Sequence, residues 1–198
     1  LSHLMDISEK KKGERHLSKL LKLRESMLGI TQSVVRAEGV IQIYKDVLKS
    51  VVSCIDNAKL GTVMLRDGDY LKPVAQIGFD NSMMTNFKLK TEDLFLYRET
   101  KGRLDEIVII NDLSKYGDYY GFKTDEGFEA HIKSTLSAPI YINGRFFGAV
   151  NVDSTETDAF VSDDIKLMTF IKSNVEIALS NQLLYEEKAF LSRYDALT

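Results

Sequence analysis

The sequence predicts an α/β chain of the α+β kind, with helices at both ends and antiparallel hairpins between them. Three observations carry this. Helical periodicity runs through 14–36 and 40–55 and returns after 162. Two turn dipeptides, Asp67-Gly68 and Asn143-Gly144, sit between short apolar runs. The second of these hairpins is apolar on both faces, so both faces need a cover. The composition suits a soluble globular chain of one domain with extra elements: 198 residues, 44% hydrophobic and 28% charged.

The N-terminal helical stretch carries Leu20, Leu23, Met27, Ile30 and Val34 at alternating three- and four-residue steps, a heptad seam that Leu17, Leu21 and Leu28 widen. Such a stripe suits either a coiled coil or a helix packed on a domain. Gly39 breaks it. Val40, Ile43, Val47, Leu48, Val51 and Val52 then resume a helical face. After Asp56-Asn57 the period changes to that of strands, over 60–65 and 70–77, with Gly78 as the stop. A short strand is expected over 87–89, a short helix over 92–101 closed by Gly102, and an apolar strand over 107–110. Residues 115–127 read as a loop holding Tyr116, Tyr119, Tyr120 and Phe122 among polar neighbours.

The clearest hairpin is TLSAPIYI-NG-RFFGAVNVD. Asn-Gly is the strongest two-residue turn signal because both central positions need φ > 0. Counting outward pairs Ile142 with Arg145, Ile140 with Phe147 and Pro139 with Gly148. Alternation then places Leu136, Ala138, Ile140, Phe147, Ala149 and Asn151 on one face, and Ser137, Tyr141, Phe146, Gly148, Val150 and Val152 on the other. Helices would cover one face and the Tyr-rich loops the other. The last helix is expected from a Ser162 cap, with Asp163 and Asp164 in its first turn, to about residue 191. Ile165, Met168, Ile171, Val175 and Ala178 form its apolar stripe.

Composition removes several function classes. Net charge is −3, and Lys10, Lys11 and Lys12 lie beside Glu9 and Glu14, so no basic surface is expected to track nucleic acid. The single Cys54 excludes an internal disulfide and a multi-Cys zinc site; in VVSCI it reads as a small buried core residue of a reducing compartment. No run of 18 apolar residues occurs. His131, Glu129 and His16 have no metal-ligand spacing. Asp163-Asp164 and Asp125-Glu126 read as helix-start and loop charges rather than an acid/base pair, and there is no phosphate-binding glycine loop.

In the order helix, helix, hairpin, loops, strand, hairpin, helix, the chain resembles a GAF domain. The resemblance rests on IKSTLSAPIYINGRFFGAVNVDS followed by AFVSDDIKLMTFIKSNVEIALSNQLLYEE, with Ser134, Leu136, Pro139, Gly148, Phe160 and Asp164 at the recurring positions. It covers about 38–184. It implies a central antiparallel sheet of five to six strands, with N- and C-terminal helices packed on one face and loops and short helices over the other. MDISEKKKGERHL is similar to the closing segment of a PAS domain, and AFLSRYDALT to the start of a GGDEF diguanylate cyclase domain, where Asp195, Leu197 and Thr198 match. The implied organisation is a PAS-like tail over 1–14, a linker helix over 15–37, the GAF domain over 38–181, and a signalling helix over 182–198 leading to a GGDEF-like domain. The loop that names the GGDEF family is absent, so no enzymatic activity is expected of this chain.

The resemblance also implies a ligand pocket on the sheet face away from the terminal helices, under the loops after the second and third strands. Tyr97, Arg98, Tyr116, Tyr119, Phe122, His131 and Asn151 are the candidates: aromatic side chains supply contact area, and Arg98 or His131 can meet an anion. The alternative is that these side chains fill the pocket themselves, leaving a dimerisation spacer. The ligand is not identified by sequence. Haem is not expected, nor bilin, since Cys54 belongs on a helix. Methionine-sulfoxide reduction on this scaffold needs several cysteines, and cyclic-nucleotide recognition fails because Asp153, Ser154 and Ile165 break the pattern that Phe160 and Asp164 keep. The expected assembly is a cytoplasmic homodimer through Leu20, Leu23, Met27, Ile30, Val34 and the C-terminal helix, with no membrane contact by this chain.

Overall fold

Helix α1 (Val40–Cys54) lays Ile43, Tyr44, Val47, Leu48 and Val51 on a sheet whose central strands are nearly continuous apolar runs. The computed structural model describes residues 40–117 and 120–195, together with Lys10, Gly13, Glu14, Leu17, Ser18, Leu21, Arg24, Glu25 and Leu28, which are helical. Leu20, Leu23, Met27, Ile30 and Val34 lie outside the described residues, as do Tyr119, Leu197 and Thr198. From α1 the chain runs through β1 (Leu60–Asp67), β2 (Tyr70–Ile77), α2 (Asn81–Thr85), β3 (Leu89–Lys90), a 3-10 turn (Thr91–Asp93), α3 (Phe95–Glu99) and β4 (Val108–Ile110). A second 3-10 turn (Leu113–Tyr116), β5 (Tyr120–Lys123), β6 (Glu129–Ile132), β7 (Ser134–Ile142), β8 (Arg145–Ser154) and α4 (Ser162–Asp195) follow.

Six strands form one antiparallel sheet in the order β3-β2-β1-β8-β7-β4. This is the expected fold, an α+β domain with α1 and α4 on one face. β5 and β6 form a separate two-stranded sheet, with β5 inside the 115–127 stretch expected to be loop. Each is only four residues long. They are held by the Phe79↔Thr124 bridge and by Asp80 N–H to the Lys123 carbonyl at 2.8 Å.

The β7–β8 hairpin corrects the predicted register. Asn143 and Gly144 do form the turn, with φ of 51° and 75°, and Ile142 pairs with Arg145. A bulge between Ile140 and Tyr141 then leaves Phe147 without a partner, so Ile140 pairs with Gly148 and Pro139 with Ala149. One extra residue exchanges the faces of β8 relative to β7. Leu136, Ala138 and Ile140 therefore share the helix face with Gly148, Val150 and Val152. Thr135 and Ser137 share the opposite face with Ala149, Asn151 and Asp153. The bulge is braced from α4, where Glu176 accepts the Tyr141 N–H at 2.6 Å and pairs with Lys172 at 2.8 Å. Gly148 is required beside it: a Cβ there would lie 2.1 Å from the Met64 carbonyl oxygen. Pro73 also adjoins a bulge, between Val63 and Met64 on the pairing of β1 with β2.

Helix α4 begins at Ser162, so Ser162 is inside the helix rather than its cap. The reach-back is made by Asp164, whose carboxylate accepts the Val161 N–H at 2.9 Å. Phe160 is 2% exposed and plugs the core ahead of this turn. The first half of α4 buries Met168, Ile171, Val175, Ala178 and Leu179 against α1 and the sheet, each worth about 1.5–3 kcal/mol for the larger side chains. Cys54 is buried at the last position of α1, as its apolar surroundings predicted. Among the described residues, no helix is long and apolar enough to cross a membrane.

Candidate ligand cavity

On the face away from α1 and α4 a cavity of about 130 Å³ opens between the sheet and the segments that cross it. Its floor is β1, β7 and β8, through Thr62, Met64, Thr135, Asn151 and Asp153. Its walls come from the connection after β2 (Phe79, Met83, Met84, Phe87), from Leu89, Asp93, Leu94 and Phe95 after it, and from Gly121, Phe122 and Ile132 of β5 and β6. Local sequence builds each wall. Asp80 caps α2 by accepting the Met83 N–H at 3.0 Å, which turns Met84 inward to 8% exposure. Gly78, at φ 81°, lets the chain leave β2 tightly against Leu60. Phe79 and Phe122 meet edge to face at 5.1 Å.

The floor is polar in an otherwise apolar chamber. Thr62, Asn151 and Ser137 are register partners on three adjacent strands. The Ser137 hydroxyl donates to Asn151 Oδ1 at 2.5 Å, and Asn151 Nδ2 donates to Thr62 Oγ1 at 3.1 Å. The next row holds Asp153, 6% exposed, opposite Thr135. Burial pushes the Asp153 carboxyl up to about 7, against a smaller opposing effect of the Thr135 hydroxyl that hydrogen-bonds to it. Burial thus favours the protonated form of this acid well above the ordinary carboxylate range.

Of the residues singled out from sequence, Phe122 and Asn151 line the cavity, and Tyr97, Arg98, Tyr116 and His131 do not. Tyr97 packs beside the cavity with the Leu71 and Leu96 cluster and touches Gly102. Arg98 is exposed and pairs with Asp93 at 3.2 Å, so it acts on the rim only through Asp93. Tyr116 stands behind Phe95 at 5.4 Å and donates to Glu99, which also accepts from Lys115. Burial raises the Tyr116 hydroxyl and the Glu99 charge adds to it. Burial works to raise Glu99, but the hydrogen bonds from Lys115 and Tyr116 outweigh it and hold Glu99 low. His131 points to solvent from β6, whose alternation turns Ala130 and Ile132 inward instead. Sequence reasoning passed over Met83, Met84, Phe87 and Asp153. For Asp153 a signal existed: two polar residues at alternate positions, 151 and 153, in an apolar strand.

The family profile of the GAF domain matches residues 39–179. The chain belongs to the GAF family. Solved structures agree on the fold. The GAF domain of an Acinetobacter phosphoenolpyruvate-protein phosphotransferase is similar with a TM-score of 0.67 at 15% identity, over 82% of this chain and 93% of that one. The phycoerythrobilin-bound GAF domain of a cyanobacterial phytochrome follows at TM-score 0.63 and 14% identity, over 83% and 97%. A free methionine-R-sulfoxide reductase from Neisseria meningitidis, in complex with its substrate, gives 0.60 and 13%, over 81% and 91%. No curated protein matches this GAF domain in sequence.

Proposed function

We propose that this GAF domain is the sensory module of a cytoplasmic signalling protein, that its cavity holds a small molecule, and that occupancy is relayed through paired helices to a C-terminal diguanylate cyclase domain. The domain's part is regulatory rather than catalytic. The observation that carries the reading is the cavity: an apolar chamber with a hydrogen-bonded polar floor, enclosed by short segments rather than by the main helices. Two proteins of similar fold hold a bilin and a substrate, which supports the scaffold as a holder of small molecules.

The relay is supported by helix α4. Its first half is buried, yet Phe170, Ile177, Leu184 and Leu191 are 43%, 59%, 49% and 56% exposed at seven-residue steps. A repeat of seven is the pattern that packs one helix along another. Leu17, Leu21 and Leu28 are exposed on the N-terminal helical stretch as well. A second copy of this chain would cover both stripes. Ligand-dependent packing of such helices would set whether two output domains meet.

Native mass spectrometry of the chain purified without added ligand tests both parts. The expected result is a dimer carrying the extra mass of a small molecule, and Ile177→Lys with Leu184→Lys should convert it to a monomer. A bare monomer at high concentration would contradict the relay. A dimer that neither retains nor takes up any small molecule would favour a spacer.

A further inference from the structure

The chemistry of the cavity narrows what it holds, on the reading that it is a ligand site. Among the described residues lining it, two are acidic and none is basic. Asp93 is at the rim and already paired with Arg98 at 3.2 Å. The charge at depth is therefore that of Asp153. Its carboxylate has about four acceptor sites, of which the Thr135 hydroxyl takes one. The same cavity is lined by the rings of Phe79, Phe87, Phe95 and Phe122 and the thioethers of Met64 and Met84. Aromatic faces attract a cation where water is excluded, and a buried carboxylate gains most from a charge of opposite sign. A zwitterion or an anion would bring a carboxylate or phosphate that no lining side chain neutralises. The volume, about 130 Å³, compares with the roughly 150 Å³ that holds a benzene molecule.

We propose that the cavity takes a small organic cation, an amine bearing one aromatic or branched alkyl group, with its protonated nitrogen on the Asp153 carboxylate and its apolar body among the Phe and Met side chains. Asn151, fixed by Ser137 and Thr62, presents the second polar contact.

The probes are 2-phenylethylamine and its neutral counterpart 2-phenylethanol, titrated into the full chain by calorimetry. At pH 8 the amine is expected to bind at least about tenfold tighter than the alcohol, and Asp153→Asn should abolish that preference. The unmodified chain gives an independent readout. Below pH 7 the carboxyl must release its proton before it can meet an ammonium, whose own pKa is near 10. Amine affinity should then fall about tenfold per pH unit, with close to one proton released per amine bound. Equal affinity for amine and alcohol, or an amine preference that survives in Asp153→Asn, overturns the assignment while leaving the cavity a ligand site. Binding of neither probe at millimolar concentration also overturns the assignment, and the ligand-site reading then falls only if native mass spectrometry finds no small molecule retained or taken up.

Discussion

The two faces of the sheet are built from alternate residues of the same strands, and they do different things. On the helix face Leu136, Ala138, Ile140, Val150 and Val152 are fully buried beneath α1 and α4. On the other, their neighbours Thr135, Ser137 and Asp153 are buried and Asn151 is half-buried, yet all four are polar. A period of two lets one stretch of chain supply a packed core on one side and a polar cavity floor on the other. Stability resides in close packing, whereas the cavity face keeps hydrogen-bonding groups and one titrating acid that a purely structural face would not need.

Breaking the helix face should give the largest effect. Leu136→Ala removes a side chain with no exposure and should cost about 2–5 kcal/mol in denaturant unfolding, lowering ligand binding only by way of the unfolded fraction. Changing Asp153 should act with the opposite sign. Its carboxyl is raised from 3.8 to about 7 in the fold. The native state therefore holds a proton that the unfolded chain has lost, and stability falls as pH rises from about 4 to about 7, then levels. Asp153→Asn should flatten that slope and stabilise the chain at pH 8, with a ceiling of about 4 kcal/mol. A slope that persists in the variant would place the titration elsewhere.

Asn151→Ala should cost about 1–3 kcal/mol, because the Ser137 and Thr62 hydroxyls lose their partner, and it should weaken ligand binding more than Leu136→Ala does at equal stability. Arg98→Ala should have the smallest effect, within about 0.5 kcal/mol. Its ion pair with Asp93 is exposed to solvent and it does not line the cavity. A tenfold loss of binding on this change would bring Arg98 back to the site.

Much of this contrast was legible in the sequence, up to the bulge. The two helices, both hairpin turns and the covered sheet follow from period and turn chemistry, because α1, β1, β2, β7, β8 and α4 are long and strongly patterned. The faces of β8 were not legible: one unpaired residue, Phe147, exchanges them, and nothing local to FFG marks the bulge except the Gly148 it requires. The cavity walls were harder. α2 is five residues long and β5 and β6 four each, too short for periodicity to register. Phe122 and Asn151 were found as an aromatic in a polar loop and a polar residue in an apolar strand. Arg98 and His131 drew attention for their charge chemistry, yet both point to solvent.

The four described methionines divide between the faces: Met64, Met83 and Met84 line the cavity, and Met168 is sealed beneath the helices. Methyl NMR of the chain carrying ¹³C-methyl methionine, recorded under xenon pressure, reads both faces in one spectrum, because xenon enters apolar cavities. The account predicts shifts for Met64, Met83 and Met84 and none for Met168. Unmoved cavity methyls, or a shift at Met168 equal to theirs, would contradict it.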